Sequence, residues 1–225
     1  MLTKIAARVR GLFAMNSPEN REDEQVVVNN RGDLVVSQSL PALTELVRMG
    51  GSWQVPTTTA FAALTTEPTT VAALSLYNAE PAIGMSYAID SVFLWERVAD
   101  ATQENYTALF GMLNARTSAA PSAGTLLTAA TAVKSLSGRS SYGGSAVVRA
   151  GATVVNDGWM SLGSSEPFVG AIAGDIWKTK DVPLAGLFLV PPGSAFNLHV
   201  TKVAATASQL QVGIRFHEVT LIYKT

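Results

Sequence analysis

Short runs of alternating apolar and polar residues, separated by turn residues, fill most of this chain and predict strands rather than helices. The pattern is clearest in the carboxy-terminal third. Ala146 to Val155 reads as a strand running into Asn156-Asp157-Gly158, a strong turn signal, and Trp159 to Leu162 as a short strand after it. Leu184 to Val190 precedes Pro191-Pro192-Gly193, and Phe196 to Val203 places Phe196, Leu198 and Val200 on one face. Gln209 to Tyr223 forms a long last strand. Val212, Ile214 and Phe216 alternate inward, whereas Val219, Leu221 and Tyr223 have the opposite parity. A switch at His217-Glu218 predicts a β-bulge or a second buried layer, because strand side chains alternate with period 2.

Further upstream, Val71 to Tyr77 and Met85 to Val98 predict strands. In the second, Tyr87, Ile89, Ser91 and Phe93 share one face and Ala88, Asp90, Val92 and Leu94 the other. Both faces are mostly apolar, so this strand is expected between two layers, with Asp90 needing a partner such as a loop backbone. Trp53 to Thr59 reads as a strand that Pro56 assigns to an edge. Thr125 to Ser135 reads as a strand, and Ala99 to Asn114 fits either a helix or a loop and strand. A brief helix is expected over Ser39 to Arg48, and a hairpin around Asn29 to Asp33. Many short strands and frequent turns indicate an all-β domain, a β-sandwich of jelly-roll type, over residues 25–225.

The amino terminus departs from this pattern. In Met1 to Asn16, Leu2, Ile5, Val9, Leu12 and Phe13 fall at helical spacing, with Lys4 and Arg8 off that stripe. Ser17 to Glu24 is polar and mixed in charge, the composition of a linker. Residues 1–24 are therefore expected to form an extended or helical arm. Arg8 and Arg10 interrupt its apolar run, which argues against a secretory signal peptide.

Composition narrows the function. Of the 225 residues, 15% are charged, against about 25% in an ordinary soluble domain. A surface so poor in charge points to an oligomer or assembly component. Net charge is −1, which gives no footprint for tracking phosphates, so no direct nucleic-acid contact is expected. Cysteine is absent, removing disulfides, thiolate metal sites and cysteine nucleophiles. No apolar run approaches the ~18 residues of a membrane span.

Candidate chemistry is sparse. His199 and His217 both lie in predicted strands and alternate away from the apolar face, which would put them on a solvent or interface face. Side chains of the adjacent His217 and Glu218 should point to opposite faces and so cannot chelate one ion. Asp90, Glu96, Asp157 and Glu218 are the carboxylates from which a glycosidase pair would be drawn, although each also suits a turn or surface role. Trp53, Trp95, Trp159 and Trp177 could stack sugars, but rings of that size more often pack in cores and contacts. No hydrolase elbow, metal-binding helix or calcium loop is present. The expectation is a protein that is not an enzyme and needs no cofactor or metal.

Several segments together resemble the virion structural proteins of tailed bacteriophages. They are Ser140 to Gly144, Val155 to Trp159, Val190 to Phe196 and Phe216 to Val219, with Gly51 to Asp90 in the same style. This resemblance implies a particle component: a capsid cement or decoration protein, or else a head-fibre, neck or tail component binding a receptor or glycan. For the first, the implied partners are the major capsid protein and further copies of itself, as a homotrimer on the capsid exterior. The candidate contact residues would then be the arm stripe: Leu2, Ile5, Val9, Leu12 and Phe13.

Overall fold

A computed structural model describes residues 47, 50–57, 61, 63–98, 107–128, 132–138, 142–163, 179–202 and 209–220. The expected arm, linker and first hairpin lie outside these residues, and of the brief helix only Val47 lies inside. The described part is built from eleven strands: β1 (Ser52–Pro56), β2 (Val71–Asn78), β3 (Ser86–Val98), β4 (Thr107–Leu113), β5 (Thr125–Leu127), β6 (Lys134–Ser135), β7 (Ala146–Thr153), β8 (Met160–Gly163), β9 (Thr179–Val190), β10 (Ala195–Lys202) and β11 (Gln209–Val219). They form two antiparallel sheets, in the orders β6-β1-β11-β3-β9 and β5-β7-β2-β10-β4-β8.

The pairing is nested. β1 pairs with β11, β2 with β10, β3 with β9 and β4 with β8, as in one long hairpin. That ribbon is wound so that β11 also pairs with β3 and β10 with β4, which joins its strands into two sheets. Eight strands wound this way make a jelly roll. Strands β5, β6 and β7 lie between β4 and β8 in sequence, and they extend the two sheets at their edges.

Alternation builds the core. On β10, Phe196, Leu198 and Val200 point inward, as their spacing predicts, and meet Leu74 and Leu76 of β2 in the same layer. Leu210, Val212, Ile214 and Phe216 of β11 face them from the other sheet, with Val55 of β1 beside them. Each such side chain contributes roughly 1.5–3 kcal/mol by leaving water. Tyr87 stacks at a tilt on Phe216, and Phe188 on Phe196, with centroids 5.1 and 5.3 Å apart.

Strand β3 departs from strict alternation. Ile89 and Ser91 pair with the adjacent residues Phe216 and Arg215 of β11, leaving Asp90 as an extra residue. The core face of β3 therefore carries Tyr87 and Ile89, then Val92 and Leu94, and not the expected Tyr87-Ile89-Ser91-Phe93 set. The bulge expected at His217-Glu218 is not there: those residues pair in register with Ala88 and Tyr87, and the extra residue lies on β3 opposite Arg215 and Phe216. Along β11 the described parity continues unbroken, and a carboxylate, Glu218, takes the inward position after Phe216.

Strand β1 is also not an edge, since β6 pairs with its outer side at Trp53 and Gln54. Pro56 lies beyond that contact. Thr57 N donates to Val212 O of β11, so the alternating backbone turns the proline nitrogen outward, where β6 does not reach. The stretch expected as one strand over Thr125 to Ser135 is two, β5 and β6, in different sheets.

The Asn156-Asp157-Gly158 turn does not close a hairpin. β7 lies beside β2 and β8 beside β4, so residues 154–159 must cross the outer face of the six-stranded sheet. There Val154 and Trp159 form a second small core with Ala72, Met112 and Ala152, and Trp159 Nε1 donates to Thr69 O. A one-way relay fastens the strap to the sheet. Ser75 Oγ donates to Asn197, Asn197 Nδ2 to Asn114, and Asn114 Nδ2 to Asp157.

Candidate functional site

At one end of the sandwich five separate segments meet: Trp53 at the start of β1, Glu80 after β2, Tyr87 at the start of β3, residues 142–145 before β7, and Glu218 at the end of β11. Asn78 closes the β2–β3 loop, its Nδ2 donating to Met85 O and Val190 O and its Oδ1 accepting from Glu80 N. Glu80 is thereby aimed at the neighbouring segment, where Oε1 accepts from Ser145 N at 2.8 Å. Ala79 N donates to Ser145 O beside it.

Tyr142 anchors that segment in the core. Its ring meets Trp53 edge-on at 5.0 Å and Phe216 at 6.3 Å, and its hydroxyl donates to Tyr87 Oη at 3.0 Å. Gly144 then passes directly over the Tyr142 hydroxyl and Glu218 Oε1. A Cβ at Gly144 would lie 2.4 Å from one and 2.9 Å from the other, so only glycine fits.

Burial sets the electrostatics. The half-buried Glu218 carboxyl is raised, first by desolvation and then by the charge of Glu80, while the Trp53 indole and the Tyr142 hydroxyl oppose the shift. The Trp53 N–H is close enough to favour the carboxylate but completes no regular hydrogen bond. Desolvation pushes Tyr142 up to about 12, and it raises Tyr87 further still. Glu218 is thus the carboxyl of this cluster that burial makes hold its proton more tightly.

On the outer face of the five-stranded sheet, the bulge turns Asp90 towards His217. Asp90 Oδ1 lies 2.7 Å from Nδ1, and both side chains are 12% exposed. Asp90 thus bonds a side chain, not the loop backbone expected for it. Desolvation raises its carboxyl and the histidine opposes that. Ser52 stands opposite His217 across the β1–β11 ladder, but its hydroxyl makes no hydrogen bond, so a nucleophile–base contact is not formed.

Along the same face, the Phe93 and Trp95 rings are parallel at 5.3 Å, with the Arg215 guanidinium 4.7 Å from the Phe93 centroid. Arg215 is held by Asp181 and Ser91, and Trp95 Nε1 donates to Gln211.

The histidines do not share a face, in contrast to the sequence expectation. His199 belongs to the six-stranded sheet and is 3% exposed, with Phe61 edge-on to its ring. Desolvation lowers it, and Nδ1 accepts from Val200 N. Of the sugar-stacking candidates, Trp53 and Trp159 are buried, Trp95 is half-buried, and Trp177 lies outside the described residues, as does the Glu96 side chain. Asp157 holds a turn, accepting from Ser118, Asn114 and Ala115, which lowers it. Leu2, Ile5, Val9, Leu12 and Phe13 all lie outside the described residues.

Sequence reasoning missed Glu80, Tyr87 and Tyr142 as a group with Glu218. The available signal was Glu218 itself, a charged residue at an inward position of β11. Among the described residues, no group of three or more His, Asp and Glu could hold a metal ion, and no helix is long and apolar enough to cross a membrane. A comparison with protein-family models finds no match, and a comparison with curated proteins finds none either.

Proposed function

We propose that this chain is a non-enzymatic virion structural protein, a capsid cement or decoration protein that binds the outside of a phage shell and bridges its capsomers. The observation that carries this reading is a corner of exposed apolar side chains on a weakly charged jelly roll. Leu187 and Leu189 point outward from β9, where Phe188 and Val190 are buried; Leu187 is 77% exposed. Met85 lies beside them, because one amide, Asn78 Nδ2, bonds both its carbonyl and that of Val190. Ile83, two residues away, is 96% exposed. Exposed apolar patches of this kind mark contact surfaces. The resemblance of the carboxy-terminal segments to tailed-phage virion proteins points the same way.

In this reading the corner and the amphipathic arm bury apolar surface across joints between shell subunits. Each Å² removed from water contributes about 25 cal/mol, and repetition over a shell makes a modest contact effective. The alternative, a head-fibre, neck or tail component binding a receptor or glycan, draws on the half-exposed Trp95 row. The burial of Trp53 and Trp159 weakens it.

The test is the mass of the purified protein in solution, followed by mixing with capsids that lack it. A homotrimer that saturates shells at fixed stoichiometry is expected, with binding reduced by deletion of residues 1–24 and by Leu187→Lys. A monomer that ignores capsids but adheres to host cells would replace this reading with the adhesin.

A further inference from the structure

We infer that the cluster at the sandwich end is a proton-controlled latch, in which protonation of Glu218 tightens residues 142–145 against the fold and its ionisation loosens them. This goes beyond the virion reading and does not depend on it. Two carboxylates reach the same short segment from two directions. Glu80 comes from the β2–β3 loop and holds Ser145 N, whereas Glu218 comes from β11 and lies under Gly144. Among the described residues neither carboxylate is ion-paired, so ionising both brings like charges together beneath one stretch of backbone.

Among the described residues, the groups facing Glu218 are Glu80, Tyr142 of the segment itself, Tyr87 of β3 and the uncharged indole of Trp53 on β1. His217, its neighbour on β11, turns to the opposite face and bonds Asp90. None of these described groups supplies a positive charge to offset ionisation. Both tyrosines stay neutral through this range because burial raises them. The change is read at Gly144, which covers Glu218, and at Ser145, whose N–H donates to Glu80.

The sign follows from linkage. A carboxyl raised in the latched state binds its proton more tightly there than when the segment is released. Latching is therefore fully favoured below the ordinary glutamate value of about 4.3 and weakens as pH rises through the raised value. Each unit of the raise changes the latch equilibrium about tenfold.

Hydrogen exchange on the full chain tests this, following the Gly144 and Ser145 amides between about pH 5 and 8 with intrinsic rates corrected and Val148 as a core reference. Protection at 144 and 145 should fall as pH rises while Val148 holds. Glu218→Gln should remove that dependence and keep the low-pH protection at high pH. Protection that stays level or rises with pH in the wild type, or an unchanged dependence in Glu218→Gln, would overturn the latch. If Glu218→Gln does not fold, the wild-type Glu218 carboxyl can be titrated by carbon-13 NMR. A midpoint above the ordinary range that coincides with the loss of protection supports the latch, and an ordinary midpoint overturns it.

Discussion

Gly213 provides a sharp test of how the outer face of the five-stranded sheet is built. It pairs with Phe93 across the β11–β3 ladder, and the phenyl ring leans over it. A Cβ added there would lie 2.1, 2.5 and 2.8 Å from Phe93 Cζ, Cε2 and Cε1. Ordinary carbon contacts begin near about 3.5 Å, so Gly213→Ala must push the ring tip outward by about 1 Å or more. The ring cannot move alone, because it lies parallel to Trp95 and under Arg215, which Asp181 and Ser91 hold in place. Overpacking of this kind costs about 1–3 kcal/mol. Displacing the ring also weakens an exposed cation–π contact of about 0.5–1 kcal/mol and a ring pair of similar size.

The backbone pulls the other way. Gly213 is not among the glycines with positive φ, so alanine meets no conformational strain there. In a strand interior, replacing glycine by alanine is itself favourable by about 0.5–1 kcal/mol. The net cost of Gly213→Ala should therefore be about 1–3 kcal/mol, all of it routed through Phe93. In a Phe93→Ala background the same substitution should become neutral or stabilising. Urea unfolding of the four proteins of this cycle, at constant m-value, measures the coupling directly. Equal destabilisation by Gly213→Ala in both backgrounds would refute the argument, because the obstacle would then be the backbone or a different neighbour.

Two further outcomes concern the strap across the six-stranded sheet. Asn197→Ala removes the middle of the Ser75–Asn197–Asn114 relay and leaves buried polar groups unpaired, so chemical denaturation should show a loss of about 2–3 kcal/mol. Asp157 is held low by Ser118, Asn114 and Ala115, so its contribution is present above the ordinary aspartate value and is lost as pH falls through the lowered one. Thermal melts of Asp157→Asn against wild type should differ at neutral pH and converge in acid; a constant difference would disprove the assignment.

The strands were legible wherever both sheet neighbours respected alternation. Phe196, Leu198 and Val200 show this, since Asn197 and His199 between them turn away from the main core. The reading failed where a partner strand decided the parity. Nothing in Tyr87 to Leu94 marks Asp90 as an extra residue, because both parities are apolar and the insertion is defined only against Arg215 and Phe216. The switch inferred at His217-Glu218 rested on the apolar Val219, Leu221 and Tyr223, of which only Val219 lies among the described residues, and the parity through Glu218 is continuous. The end cluster was not legible as a site, because residues 53, 80, 87, 142–145 and 218 share no spacing and meet only through the winding of the ribbon. His199 looked exposed for the opposite reason. It does point away from the main core, but the outer face of its sheet is covered at that position.

The winding also explains why the carboxylates matter where they do. The nested pairs β1–β11, β2–β10, β3–β9 and β4–β8 close the jelly roll without β7, which belongs to the insertion between β4 and β8. β7 has its own ladders, to β2 and β5. What fixes the chain entering and leaving it is acidic at both ends: Glu80 and Glu218 at residues 142–145, and Asp157 on the strap that follows. These anchors respond to protons in opposite senses, since Glu218 is raised and Asp157 lowered. Acid tightens the entry and weakens the exit, and alkali does the reverse at the entry. The insertion is therefore held best between the two titrations, above the lowered Asp157 and below the raised Glu218, while the apolar core that closes the ribbon is indifferent to both.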